Sequence, residues 1–388
     1  MTLYLLDPDL APDWFPFQDS RPVSELRAGA WLIRERWEAI AQAETASIFA
    51  PPHLTGFVEM GVPPVTGRTP VDGPAMVGRS VFAPAGVPPE FDQASPVVFV
   101  HEGEPVGWWV PEGATWSGPD HQGTSVEIEG ILLRGAWDLV TAQEHLLAAD
   151  CADFVAEGGE PLPPDIVLIG EPHDVVLLGA LVEPGVIFDV RGGAVVLEEG
   201  AYVTAGTRLQ GPCYVGPQTV ILGGPVGGCA FGPQCRIRGE ISHATFLGYA
   251  NKAHDGFVGH AVVGRWANLG AGTITSNLKN TYGTISLSVG DARLDTGRQF
   301  LGSLIGDHAK IAIGTLLGTG TVVGTGANVF GAVRPPPYVP PFAWGDSGDR
   351  VRQDGFLTVA ERVMARRDVP FTDEVRAMLT AVHAHATT

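Results

Sequence analysis

Aliphatic residues recur at every sixth position over two long stretches of the chain. Leu197, Val203, Leu209, Val215 and Ile221 form one run, and Ile305, Ile311, Leu317, Val323 and Val329 form another. A period of six matches neither the 3.6-residue repeat of a helix face nor the two-residue alternation of a strand. It predicts a parallel β-helix. Each hexad is then one flat side of a triangular coil, with the aliphatic residue pointing inward and a small residue turning the corner, as in Val215-Gly216, Val258-Gly259, Leu269-Gly270 and Val323-Gly324. The register slips around Gly223-Gly224-Pro225 and breaks between Asn277 and about Phe300. The break predicts an external loop, and external loops are where functional side chains gather.

Outside the repeat the pattern changes. Residues 1–156 read as a mixed α/β unit, with strand-length apolar runs at 3–7, 95–100 and 131–135 and helices expected over 23–42 and 136–156. The polar, proline-bearing segment 157–165 is the expected linker, and the β-helix is expected over 166–333. A proline-rich exit follows at 334–345, and two helices over 354–368 and 372–386 are expected to cover the open end of the coil, the second with Thr372 as N-cap.

Charge narrows the choice of partners. The 388 residues include 24 Lys+Arg and 43 Asp+Glu, a formal charge of −19, which repels nucleic acid and anionic membranes at long range. No apolar run is long enough for a membrane helix, and the first residues carry acids rather than a basic signal region, so a cytoplasmic location is expected. Cys151, Cys213, Cys229 and Cys235 are too few and too unevenly spaced for a disulfide framework and read as buried thiols.

Reactive polar residues concentrate in 251–280, NKAHDGFVGHAVVGRWANLGAGTITSNLKN. His254 is a natural base for an amine or hydroxyl nucleophile. Asn268 and Asn277 carry amides suited to sugar hydroxyls or an oxyanion, and Gly270-Ala271-Gly272 leaves a bare backbone ridge for an extended cofactor. His243, His260 and His308 read as solvated or stacked coil histidines. The chain's only lysines, Lys252, Lys279 and Lys310, all fall in this half, which points to positions needing a compact ammonium. Lys252 and Lys279 are the candidates for a sugar phosphate.

The hexads, the histidine followed by F-V-G, the N-L-G-A-G-T-I-T-S-N run and TGRQFLGSLIGDHAKIAIGT at 296–315 resemble the acetyltransferase half of bifunctional sugar-1-phosphate nucleotidyltransferase/acetyltransferases, in particular the archaeal type. The resemblance covers roughly residues 186–333. It implies a left-handed β-helix, a homotrimer with active sites between subunits, and acetyl-CoA as co-substrate. His254 would be the general base, Asn277 would orient the amine or the tetrahedral intermediate, Asn268 would contact the sugar, and the backbone at Ala271 would meet coenzyme A. Phe257 stands where the family has a tyrosine, and Ser242 where a phosphate-binding lysine is common.

In the first half, SRPVSELRAGAWLIRERWE resembles a divergent nucleotidyltransferase-like domain that lacks a glycine-rich phosphate loop. Arg21, Arg27 and Arg34 are candidates for a nucleotide or sugar phosphate, or else surface ion pairs, with Arg27 and Arg34 expected on one helical face. Asp7, Asp19 and Asp72 are candidates for magnesium if this half is active. The leading expectation is a two-reaction enzyme of nucleotide-sugar synthesis, joining a sugar-1-phosphate to UTP or dTTP and acetylating an amino-sugar phosphate. The alternatives are a nucleotidyltransferase whose β-helix only trimerises, and a non-catalytic sugar-nucleotide-binding protein.

Overall fold

A computed structural model describes residues 1–387. The N-terminal half is built on a seven-stranded sheet of β1 (Thr2–Leu6), β2 (Thr45–Phe49), β3 (Val65–Thr66), β4 (Ala75–Arg79), β5 (Val97–His101), β6 (Glu104–Val110) and β7 (Thr124–Glu127). Their order is β7-β5-β6-β4-β1-β2-β3, parallel from β4 to β3, with β6 antiparallel to both β4 and β5. Helix α1 covers only Ile33–Ala41, half of the expected 23–42. The first half is instead a 3-10 turn at Val23–Glu25 and a tight pairing of Arg27–Ala28 with Trp31–Leu32. The reason is Gly29, at φ +72°, where a Cβ would lie 2.1 Å from the Asp150 carboxylate. Arg27 and Arg34 therefore do not share a helical face.

Residues Val167–Trp344 wind into a parallel β-helix of the left-handed class. One face stacks Thr245–Phe246, Val262–Val263, Leu304–Ile305 and Val322–Val323. A second stacks Asn251–Lys252, Asn268–Leu269, Lys310–Ile311 and Asn328–Val329, and a third carries Glu240–Ser242, Phe257–Gly259, then Ile274–Thr275 paired with Leu316–Leu317. The hexad aliphatics point inward as expected, and Leu197, Val203, Leu209, Val215 and Ile221 have no exposed surface. The corners differ from expectation. Many are held in the left-handed region by large side chains: Tyr249, Trp266 and His308 at φ 55°, 62° and 58° on one edge, His243 and His260 at 50° and 48° on another. Their rings stack from coil to coil, with centroids 4.2 Å apart for Tyr249–Trp266 and 4.9 Å for His243–His260. Stacking offsets a backbone conformation that costs non-glycine residues about 1 kcal/mol or more. The expected loop leaves the third face after Thr275 and carries the hairpin Ser286–Val289/Ala292–Asp295 before rejoining the first face at Leu304.

Helix α2 (Asp138–Glu157) is buried on two sides. Leu139, Val140, Ala142 and Leu146 face the N-terminal core, whereas Leu147, Cys151 and Phe154 pack on Val176, Val196, Tyr214 and Ala230 of the β-helix. Gln143 donates to the carbonyls of Gly228 (2.7 Å) and Ala244 (3.3 Å) and accepts from the Thr245 hydroxyl. Helices α3 (Gln353–Ala365) and α4 (Asp373–Thr387) lie along the Tyr249–Trp266–His308–Phe342 edge, Met364 contacting Tyr249 and Trp266 and Phe356 contacting Phe342. They cover a long edge and not merely the open end, because the projecting corner rings supply an apolar ridge there.

The two halves are also joined by a buried charge cluster. Arg21, 1% exposed, donates through Nε to Asp307 Oδ2 (2.8 Å) on the β-helix and through Nη2 to Glu59 Oε1 (2.9 Å), and Arg265 also pairs with Glu59 (3.0 Å). Replacing Arg21 leaves two buried carboxylates facing each other without their shared cation. Arg21→Met is expected to lose about 3–5 kcal/mol of stability, read as a lower urea midpoint with the N-terminal half unfolding first. An unchanged midpoint would show that the cluster contributes nothing to docking.

Candidate functional site

Of the residues singled out in 251–280, His254, Ala271 and Asn277 flank the third face, and Lys252 and Asn268 lie on the second. His254 ends the turn before the third face and is exposed; its carbonyl accepts from Lys252, while its imidazole has no hydrogen-bond or ion-pair partner among the described residues. Ala271 lies below it on the same edge: Gly272 N donates to Asp255 O (3.0 Å), and Gly314 N donates to Ala271 O (2.8 Å). The edge is an open ridge, with Ile313 on the next coil 78% exposed. Asn268, on the second face, accepts from Asn251 Nδ2 (2.8 Å) and stands in register with Lys310.

Asn277 lies at the opposite edge of the third face from His254. Its Nδ2 donates to His260 Nδ1 at 2.8 Å. The strand Phe257–Gly259 runs between the two edges, and a Cβ on Gly259 would fall 2.8 Å from Asn277 Nδ2 and 2.4 Å from the Phe257 ring. Only glycine leaves room there. The face outward of Val258, Thr275 and Leu317 presents Phe257, Ile274 and Leu316, an apolar stripe beside the polar edges.

The three lysines share one job that differs from the phosphate contact expected of two of them. Lys252 is wholly buried, and its ammonium donates to the carbonyls of His254, Asp255 (3.2 Å) and Arg238 (3.4 Å). Lys279 donates to Thr284 O (2.6 Å) in the loop, and Lys310 to Trp266 O (2.6 Å). A compact ammonium with three donors suits the converging backbone carbonyls around Lys252. Lys310 lies in a cavity of about 600 Å³ under α3, beside Asn328, Trp344 and Phe356, and burial pushes its amine down to about 7.

The arginines are likewise committed. Arg21 holds the cluster described above, and Arg34 pairs with Glu25 (2.6 Å) and Glu38 (3.1 Å). Arg27 is buried, donates to Ala30 O and lies 5.3 Å over the Tyr214 ring. None of the three offers a free guanidinium to a phosphate. The carboxylates expected to hold magnesium do not converge either. Asp7 is buried under the amides of Val23 and Ser24, with burial raising its carboxyl to about 6. Asp19 is buried elsewhere, pushed up to about 7 by burial, and Asp72 accepts from Thr115 on the surface. Among the described residues no three His, Cys, Asp or Glu side chains gather as a metal site. The cysteines are free and buried. No helix among the described residues is long and apolar enough to cross a membrane.

Residues 3–157 match the family model described as sugar nucleotidyl transferase. The chain is also similar to a bifunctional sugar-1-phosphate nucleotidylyltransferase/acetyltransferase of Sulfurisphaera tokodaii, 28% identical over 154 residues, which cover 36% of each protein. It resembles the bifunctional protein GlmU of Jannaschia sp. (26% over 210 residues, 52% of this chain and 42% of the relative) and that of Methanocaldococcus jannaschii (24% over 221 residues, 52% and 51%). The chain spans between about a third and a half of the length of these relatives. In the matched segment Arg21 and Arg27 reach across to the β-helix, and Arg34 pairs within its own half.

What the residue motifs did not reveal is the support behind Asn277. His260 lies between the rings of His243 and Phe300, and Glu144 of α2 stands 3.7 Å from its Nε2. Glu144 and Arg298 lie 154 positions apart, so no local pattern announces their pairing. The buried lysine gives the site a testable signature. Burial pushes Lys252 from 10.5 to about 8, so the unfolded chain binds its proton more tightly. Urea titrations between about pH 8 and pH 10.5 are expected to show the stability of the wild type rising relative to that of Lys252→Met.

Proposed function

We propose that the chain is a transferase of nucleotide-sugar synthesis whose β-helix moves an acetyl group from acetyl-CoA to the amine of an amino-sugar phosphate such as glucosamine-1-phosphate. The observation that carries this reading is the third face, where an exposed, unpartnered histidine and a fixed asparagine amide flank one short strand beside a bare ridge. His254 takes the proton from the amine as its nitrogen attacks the thioester carbonyl. The C–N bond forms, the tetrahedral intermediate collapses, the C–S bond breaks, and coenzyme A leaves as the thiol after receiving a proton. Asn277 orients the amine, Asn268 contacts the sugar, and the Ala271 ridge takes the pantetheine arm. The apolar stripe of Phe257, Ile274 and Leu316 suits burial by neighbouring copies, which supports a homotrimer with sites completed between subunits. The sugar phosphate finds no free lysine in this chain, so its charge is met by Lys279 after rearrangement of the loop or by a neighbouring copy.

The relatives' names support a second reaction in the N-terminal domain, nucleotidyl transfer to a sugar-1-phosphate, for which our reading takes UTP or dTTP as the donor. One observation favours a different reading of that half. Arg21, Arg27 and Arg34 are all engaged within the fold, as a docking and scaffold module would have them. Pyrophosphate release with UTP or dTTP and sugar-1-phosphates separates the two, and silence with every pair leaves the scaffold role.

For the acetyl transfer, thiol release from acetyl-CoA is expected with glucosamine-1-phosphate, and His254→Ala is expected to slow it about 10²- to 10⁴-fold. A variant as fast as the wild type removes His254 from the reaction.

A further inference from the structure

We propose that His260 is the positioning residue of the acetyl-transfer site: it holds the Asn277 side chain with its carbonyl oxygen turned to the nucleophile, and Glu144 of the N-terminal domain fixes the His260 tautomer this requires. The proposal rests on the reading of Asn277 as the residue that orients the amine.

The geometry supplies each link. An amide nitrogen has no lone pair to offer, so Asn277 Nδ2 donates and His260 Nδ1, 2.8 Å away, accepts. Nδ1 is therefore bare and the ring proton sits on Nε2. That nitrogen is the one facing a carboxylate, Glu144 Oε1 at 3.7 Å. With one N–H of Asn277 engaged, its Oδ1 points away from the imidazole and accepts an N–H, as an attacking amine needs before it loses its proton. The same side chain in the opposite orientation would present a donor and hold an oxyanion instead.

His260 cannot easily leave this arrangement. Its ring is stacked between His243 (4.9 Å, 10° between planes) and Phe300 (5.3 Å, 28°). Its backbone N donates to Ser242 O (3.0 Å), and its carbonyl accepts from Gly302 N (2.7 Å), while Leu301 N pins Asn277 O (3.0 Å). Glu144 is itself fixed by Arg298, whose Nη2 reaches both carboxylate oxygens at 2.8 and 2.9 Å and whose Nη1 donates to Thr141. The groups facing the imidazole are thus His243, Glu144 and Arg298. Burial, reinforced by His243, lowers the His260 ring to about 4, so it stays a neutral acceptor at the pH of the cell. Glu144 and Thr141 belong to α2, and Arg298 to the end of the loop that follows Asn277. A residue of the N-terminal half therefore backs the amide on which the other half's chemistry depends.

Two substitutions separate this role from simple packing. His260→Phe keeps an aromatic ring between His243 and Phe300 but offers no acceptor. His260→Asn loses the stack but keeps an acceptor near the position of Nδ1. In the full chain, with acetyl-CoA and glucosamine-1-phosphate, His260→Phe is expected to lower kcat about 10- to 100-fold at nearly unchanged KM, and His260→Asn to stay within about threefold of wild type. Glu144→Gln, which leaves the stack alone, is expected to lower kcat several-fold and serves if the Phe variant does not fold. The reverse order, an active Phe variant and an impaired Asn variant, or equal rates for both with Glu144→Gln, would overturn the proposal. Asn277→Ala in the same assay tells the failures apart. If it is impaired and the His260 and Glu144 variants are not, only the positioning role falls; if it matches an active wild type, the assignment of Asn277 falls and takes this one with it. A wild type that releases no thiol overturns both.

Discussion

Everything in the C-terminal half depends on the stacking of one inward aliphatic side chain on the next, coil after coil. Val263 over Ile305 and Leu269 over Ile311 are in parallel register, and no residue can slip by one without turning its aliphatic side chain out to solvent. Once the interior is locked in this way, the outward residues have no freedom of placement. They fall into columns: Asn251, Asn268, Lys310 and Asn328 along one face, His243 and His260 on one edge, and Tyr249, Trp266 and His308 on another. A solenoid therefore turns sequence spacing into spatial adjacency, and a site can be assembled from residues about one coil apart in the chain.

That constraint explains which parts could be read from the sequence and which could not. The hexads follow from spacing alone, and the loop after Asn277 shows as the place where that spacing breaks. Beyond the loop the arithmetic fails, since residues from Asn277 to about Phe300 are excluded from the count and Ile274 pairs with Leu316, 42 positions later. The expectation for 23–42 failed for a different reason. Its apolar spacing is helical, but Gly29 has to make way for Asp150, a residue of α2 far along the chain. Tertiary contact decided the local structure, and no window of twenty residues contains that information.

The scarcity of lysine proved meaningful in a way that charge counting misses. In a chain with a formal charge of −19, a basic residue seems most useful as a phosphate ligand. The solenoid imposes another demand, because its turns leave carbonyls that point together. Lys252 meets three of them at one turn. The arginines face the opposite situation. Planar forks that match carboxylates two at a time, they sit where the halves meet, as Arg21 does between Glu59 and Asp307 and Arg298 does on Glu144.

The way α2 is buried adds a final step. A helix that faced only its own domain would need one apolar stripe, yet α2 has apolar residues on both sides and a glutamine whose amide is matched to β-helix carbonyls. Separating the halves would expose Leu147, Cys151 and Phe154 and strand Gln143, at a cost of about 1.5–3 kcal/mol for each large apolar side chain alone. The halves are therefore held as one body, and a domain that had lost every ligand would still be retained for this packing. Because the same helix carries Glu144 beside His260, a disturbance of the N-terminal domain that shifts α2 reaches the third face through two contacts, Glu144 to the imidazole and the imidazole to Asn277.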